Sequence, residues 1–389
     1  MTTLISFLGK SRRGSAVGYQ RATYAFDDGQ RVQTPFFGSA LMQRLRPQRM
    51  LLLGTAGSMW DVLDFDTEAP EWAELTEASE RAEVTQELLD RVSTRTRGAM
   101  QGAELVLIPY CRDEVEQVEL LADLAARVVE REEVVLDITH GFRHLPLLAL
   151  VAARYLSHVR SAVVSDIYYG ALEMTADGTT PVLKLDGLLR MLDWIEAFAA
   201  HDASGNYGVF ASLLVRDGMK QASADSLERA AHLERVTNST QAREIVTPML
   251  AEVGDLGGAT RLFSDQLARR LSWARKPSRD ARERALFDAY LERKDFLRAS
   301  IYLQESAISA ACNRLTIDSN EHAAREQARE TLKGSPSFRD LSDIRNMLAH
   351  GTVAGNTTRA KAATQAAASA SALASRLREL AQGLDRTAW

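Results

Sequence analysis

Three side chains near the end of the sequence, Arg345, Asn346 and His350, could together act on a phosphodiester. Histidine has an ordinary pKa close to neutrality, so it can take or give a proton, and a permanently charged arginine can stabilise the extra negative charge of a phosphorane. Those two groups suffice to cleave RNA through its own 2′-hydroxyl. No metal is required, and DNA, which lacks that hydroxyl, cannot react this way. An Arg five positions before a His carries little information in a chain with 40 Arg and seven His, since about 0.7 such pairs arise by chance. The intervening Asn lowers that expectation to about 0.01 and makes the cluster informative. Asn346 and His350 stand four apart and share one helix face, where Asn346 can orient the phosphate or the imidazole, and Gly351 supplies a helix stop.

A second concentration of polar groups is Asp137-Ile138-Thr139-His140-Gly141-Phe142-Arg143-His144-Leu145-Pro146, at the end of an apolar run over 134–138. Carboxylate, hydroxyl, imidazole, flexible glycine and guanidinium at a strand-to-helix junction suit a phosphate or ribose. The alternative is that Asp137 and Thr139 merely cap a helix starting near Pro146. His140 and His144 have no carboxylate or Cys at helical spacing, so no metal is expected. Gly9-Lys10-Ser11-Arg12-Arg13-Gly14 is basic and bounded by glycine. It has neither the order of a nucleoside triphosphate loop nor that of a dinucleotide fingerprint, so triphosphate hydrolysis and hydride transfer are not expected.

The elements that must position these groups follow from the apolar pattern. The first 185 residues alternate short apolar runs with helical stretches, as βαβ units and a parallel sheet would. Runs at 3–8, 50–53, 105–108 and 134–138 each end in a small or polar loop. The stretches 19–26 and 31–37 flank Asp27-Asp28-Gly29-Gln30 as a hairpin decorating the sheet, and 163–169 and 182–185 close it around Ala176-Asp177-Gly178. Ligands of open α/β sheets sit outside the carboxyl ends of the strands, which should gather Lys10, Thr55, Tyr110 and His140. Beyond Gly187 the pattern is helical throughout. The last helical segment, 359–384, keeps Leu373, Leu377, Leu380 and Leu384 on one face.

Composition agrees with a folded protein of two or three domains: 389 residues, 46% hydrophobic, 25% charged, net charge −5. Two cysteines, Cys111 and Cys312, fit neither a disulfide framework nor a zinc knuckle, so a reducing cytoplasm is expected. No secretory signal and no run long enough for a membrane span are read. The mean charge conceals two opposite segments: 61–90 holds 11 acidic residues against one Arg, and 261–298 holds 11 basic against six acidic. Solvated helix faces explain both, and a polyanion partner is the sharper reading of the second.

Asp137-Ile138-Thr139-His140-Gly141 in the first half and Arg345-Asn346 to His350 in the second together resemble the type III CRISPR accessory ribonucleases. In those proteins a CARF sensor domain carrying a D-x-T-H-G string is joined to a HEPN nuclease domain. Ile5-Ser6-Phe7-Leu8-Gly9, the 19–26 stretch and Gly54-Thr55 are also similar to the family's opening strands. The resemblance implies an α/β Rossmann-like CARF domain over 1–187, a helical connector of uncertain affiliation over 188–284 and an all-α HEPN-like domain over 285–389. It implies a homodimer or higher homo-oligomer that binds a cyclic oligoadenylate, with cyclic tetra-adenylate favoured, and then cuts single-stranded RNA without a cofactor. Carried over by position, the ring would meet Gly9, Lys10, Ser11, Arg12, Gly54, Thr55, Ala56, Tyr110, Asp137, Thr139, His140, Gly141 and Arg143, with main-chain amides near Thr55 and Gly141 on adenine or phosphate oxygens. The catalytic residues would be Arg345, Asn346 and His350. Slow cleavage of the ring by the sensor is a secondary expectation. The alternative is a nucleotide-sensing dimeric regulator that cuts nothing.

Overall fold

The computed structural model describes residues 1–10, 19–63, 69–351 and 358–386. The chain divides into two units, Met1–Leu189 and Arg190–Trp389. The first carries strands β1 (Thr2–Leu8), β2 (Ala22–Ala25), β3 (Arg31–Thr34), β4 (Arg49–Gly54), β5 (Glu104–Leu107), β6 (Glu133–Asp137), β7 (Val163–Gly170) and β8 (Thr179–Lys184). Its helices are α1 (Phe37–Leu45), α2 (Pro70–Arg81), α3 (Gln86–Ser93), α4 (Glu114–Arg127) and α5 (Leu145–Val159).

All eight strands form one sheet in the order β3-β2-β8-β7-β6-β1-β4-β5. The five from β7 to β5 are parallel. Burial on both faces explains their nearly continuous apolar runs. Leu4, Leu8, Leu52 and Val135 pack towards α1, α2 and α3, while Ile5, Phe7, Leu51, Leu53 and Leu136 pack towards α4 and α5. The sheet as a whole is mixed, which corrects the parallel expectation. The chain reverses at Asp177 and Gly178, both at positive φ, so β8 returns antiparallel to β7. The β2–β3 hairpin turns at Gly29 (φ +86°) and joins the sheet through β8 instead of decorating it. After the β2–β3 hairpin at the far edge, the chain returns to β4 beside β1, proceeds outward to β5, then crosses to β6 on the other side of β1. That reversal makes the carboxyl ends of β1 and β6 a topological switch point, where an open α/β sheet offers a crevice.

The second unit is helical: α6 (Asp186–Ser204, within which the division falls), α7 (Ala211–Arg216), α8 (Gln221–Arg235), α9 (Ser239–Gly254), α10 (Thr260–Arg270), α11 (Arg279–Glu292), α12 (Phe296–Leu315), α13 (His322–Leu332), α14 (Pro336–His350), α15 (Thr358–Ala366) and α16 (Ala370–Arg386). One core runs from Trp194 to Leu384, so the stretches 188–284 and 285–389 share an interior. Helix α12 packs against α11, α13, α14 and α16. The segment 359–384 is two helices: Ser369 accepts the Ala372 N–H and starts α16 afresh. Leu373, Leu377, Leu380 and Leu384 are nonetheless buried together on α16. No described helix is long and apolar enough to cross a membrane.

Candidate functional site

The loops that follow β1, β4, β5 and β6 converge at the switch point. A Cβ at Gly9 would lie 2.3 Å from the Gly141 nitrogen, so the loops after β1 and β6 touch, and Gly141 itself has φ +116°. Gly9 accepts the Met59 N–H at 2.8 Å, and Ser58 donates its hydroxyl to the Leu8 carbonyl at 2.6 Å. The turn after β4 is therefore stapled to the end of β1. A Cβ at Gly57 would stand 3.2 Å from the Tyr110 hydroxyl, which brings in the loop after β5. Lys10, Ala56, Tyr110, Arg143 and the Gly54 backbone belong to this convergence. Ser11 and Arg12 lie outside the described residues.

Several residues expected to face a ligand are occupied within the fold. The Thr55 N–H donates to Ser58 Oγ at 2.9 Å and its carbonyl accepts Trp60 Nε1 at 2.9 Å, so that amide is not free for a phosphate. Its side chain is buried. Asp137, fully buried, accepts the Ser6 hydroxyl at 2.6 Å and the Thr139 N–H at 2.9 Å, and Thr139 Oγ1 accepts the Gly170 N–H at 2.8 Å. These bonds tie β6 to β1 and β7. They also overturn the capping alternative, because α5 starts after His144 with no side-chain cap. Burial pushes the Asp137 carboxyl up to about 6, against the hydrogen bonds from Ser6 and Thr139. His140 Nε2 accepts the N–H of Phe37, the first residue of α1, at 3.2 Å, and its ring lies 5.5 Å from Phe36. Burial pushes the imidazole down to about 4. At neutral pH it is an uncharged acceptor capping α1 from 103 residues away.

What remains exposed has a different character. Lys10 and Arg143 point out as cations, and Phe142 is 44% exposed. The Phe142 ring stacks on His144 at 5.8 Å and lies 5.7 Å from Tyr110, while His144 Nε2 donates to the Tyr110 carbonyl at 2.9 Å. An aromatic corner beside cations can stack a base and hold phosphate. The sequence reading places Phe142 and His144 in the polar string and weighs His144 only as a metal ligand, singling out neither for stacking. The signal was an aromatic residue between a glycine and an arginine at a strand end.

In the second unit, Ser335 accepts the Phe338 N–H and Pro336 occupies the first position of α14. Phe338, Leu341, Ile344 and Met347 are buried at three-residue steps. That pattern turns Asn346 and His350 outward, both exposed and bonded to no described residue. Gly351 (φ +71°) donates to the Met347 carbonyl at 2.8 Å and ends the helix at His350, as its position predicted. Arg345 is half-buried and donates Nε to Gln304 Oε1 at 3.3 Å. On the flank of α14, Asp340 and Asp343 pair with Arg376 and Arg359, which holds α16 and α15 in place. The three expected catalytic residues thus share the last turns of one helix.

A sheet covered by helices on both faces, with its polar loops gathered at the switch point, defines an α/β domain of the open-sheet class. Residues 3–173 match the family described as "CRISPR system endoribonuclease Csx1, CARF domain", so the first unit carries a CARF-type domain and a helical unit follows it. Over 303 residues the chain is 25% identical to CRISPR-associated protein MJ1674 of Methanocaldococcus jannaschii, covering 69% of this chain and 47% of that protein. The chain spans about half the length of the curated relative it matches. Together the two similarities support a type III CRISPR CARF protein.

Proposed function

We propose that the protein is a cyclic oligoadenylate-activated, metal-independent endoribonuclease of type III CRISPR antiviral defence, acting on single-stranded RNA through the substrate's 2′-hydroxyl. The observation that carries the reading is the Arg345-Asn346-His350 cluster at the end of α14, with Asn346 and His350 exposed and Arg345 half-buried beside them, in a chain whose other unit matches a CARF domain. His350 moves a proton at the attacking hydroxyl or the leaving 5′-oxygen, Arg345 stabilises the phosphorane, and Asn346 orients the phosphate or the imidazole. Two copies of the chain pair, and the ring sits at the strand ends, with Lys10 and Arg143 on phosphates and the Tyr110–Phe142 corner against adenine.

The test incubates the full chain with a fluorophore–quencher RNA, with and without cyclic tri-, tetra- and hexa-adenylate, each in the presence and absence of EDTA. Cleavage that appears only with one ring is expected, with cyclic tetra-adenylate the favoured activator. Cleavage without any ring refutes the sensor role. No cleavage with any of them favours a nucleotide-sensing regulator, and inhibition by chelator refutes the metal-independent chemistry.

A further inference from the structure

Many arginines of the second unit are tied to carboxylates, whereas Arg345, like Arg243 and Arg282, is held by a neutral oxygen. Arg279, Arg284, Arg298, Arg325, Arg359 and Arg376 each pair with a carboxylate. Among the described residues Arg345 pairs with none, and its Nε is held instead by the neutral amide oxygen of Gln304 on α12. The neighbouring position, Glu305, takes Arg325 in a salt bridge, so α12 presents a neutral and a charged acceptor side by side.

Gln304 is 5% exposed, in a helix whose buried residues are mostly apolar or small. A buried amide is tolerated when both of its ends are bonded. Here both are: Nε2 donates to Ser342 Oγ at 3.0 Å, and Ser342 donates its own hydrogen to the Phe338 carbonyl at 2.8 Å. Because the Ser342 hydrogen is spent on that carbonyl, its oxygen can only accept, which fixes the Gln304 amide with the oxygen towards Arg345. The chain Phe338–Ser342–Gln304–Arg345 therefore orients the guanidinium without cancelling its charge.

We propose that Gln304 is a positioning residue for RNA cleavage, acting through Arg345, with Ser342 as its anchor. The proposal rests on the reading of Arg345 as the group that stabilises the phosphorane. A carboxylate at position 304 would hold the same nitrogen but neutralise the cation, and an apolar residue would leave the cation intact but unaimed.

The experiment measures cleavage of the RNA reporter by the full chain with saturating cyclic tetra-adenylate, resolving kcat and KM, alongside thermal denaturation. Gln304→Leu should lower kcat about tenfold with KM within about twofold and a melting temperature near that of wild type, since the loosened arginine matters most in the transition state. Gln304→Glu should keep more of kcat but raise KM about threefold or more, since it weakens attraction to the phosphate in ground and transition states alike. A purely structural glutamine would move the melting temperature and leave both constants unchanged in the folded fraction. If Gln304→Leu does not fold, Ser342→Ala, which frees the amide without touching Arg345, should lower kcat by about threefold. Wild-type constants in the folded variants, with Arg345→Ala inactive, overturn the positioning role alone. Wild-type cleavage by Arg345→Ala, or none by the wild-type chain, overturns the underlying reading as well.

Discussion

The two regions that bear the polar clusters use them in opposite ways. At the switch point, Asp137, Thr139 and His140 turn inward and bond Ser6, Gly170 and Phe37, so the string holds the loops together and leaves Lys10, Arg143 and Phe142 exposed. At the end of α14, Asn346 and His350 turn outward with no described partner, and only Arg345 is held from behind. Similar residue types thus serve architecture in one place and presentation in the other. Burial decides which.

The contrast breaks most sharply at His350. His350→Ala should lower ring-activated RNA cleavage by about 10²- to 10⁴-fold, as loss of a general acid or base does, with ring affinity and melting temperature unchanged. A folded variant that still cuts at the wild-type rate would remove His350 from the chemistry.

Asp137 offers the complementary test, in stability. Its folded pKa is raised above the ordinary carboxylate value of 3.8 to about 6, so the protonated form is favoured by folding. The resulting stability is fully present below about pH 4 and is lost as pH rises through about 6, on the order of 3 kcal/mol. Asp137→Asn can keep an oxygen on the Thr139 N–H and does not titrate. Urea midpoints for the two proteins at pH 4 and pH 8 should therefore show a steeper decline in the wild type. Parallel pH dependences would mean that burial does not control this carboxyl.

Thr139→Val keeps the shape but strands the Gly170 N–H, and should destabilise the protein by about 1–3 kcal/mol. Urea denaturation measures that loss, and calorimetric titration of the folded fraction with cyclic tetra-adenylate should give the wild-type affinity. A large affinity change without a stability change would reverse the assignment of the string to architecture. The smallest effect is expected at Lys10, whose exposed amine would meet phosphate in the proposed complex. Lys10→Ala should raise the ring concentration for half-maximal cleavage by about tenfold, equivalent to about 1.4 kcal/mol, with the maximal rate recovered at saturation. An unshifted titration curve would place the ring elsewhere.

What could be read in the sequence, and what could not, follows the range of the interactions. The strands at 3–8, 50–53 and 134–138 were legible because burial on both faces leaves an apolar run, and the end of α14 was legible because Gly351 marks it locally. The break before α16 was not, since a single Ser369 inside an alanine-rich stretch provides the cap. Nor could His140 be seen as the partner of Phe37, or Thr139 of Gly170, because the register that joins them is set by strand order across the sheet. Ser6 was a missed clue, a lone hydroxyl at the middle of a buried strand that implied a polar partner on a neighbouring one. Gln304 lay hidden for the same reason: its partners are 38 and 41 residues away on α14.

The contact between Gly9 and Gly141 limits how this crevice can change. With the Gly141 backbone where a methyl group would stand, even alanine at position 9 forces two loops apart, and the positive φ at Gly141 strains any replacement there. Substitutions at the rim, in residues such as Lys10, Phe142 and Arg143, meet no such constraint, whereas the floor admits none without parting the loops. A designer seeking a different sensor from this scaffold would have the same freedom and the same prohibition.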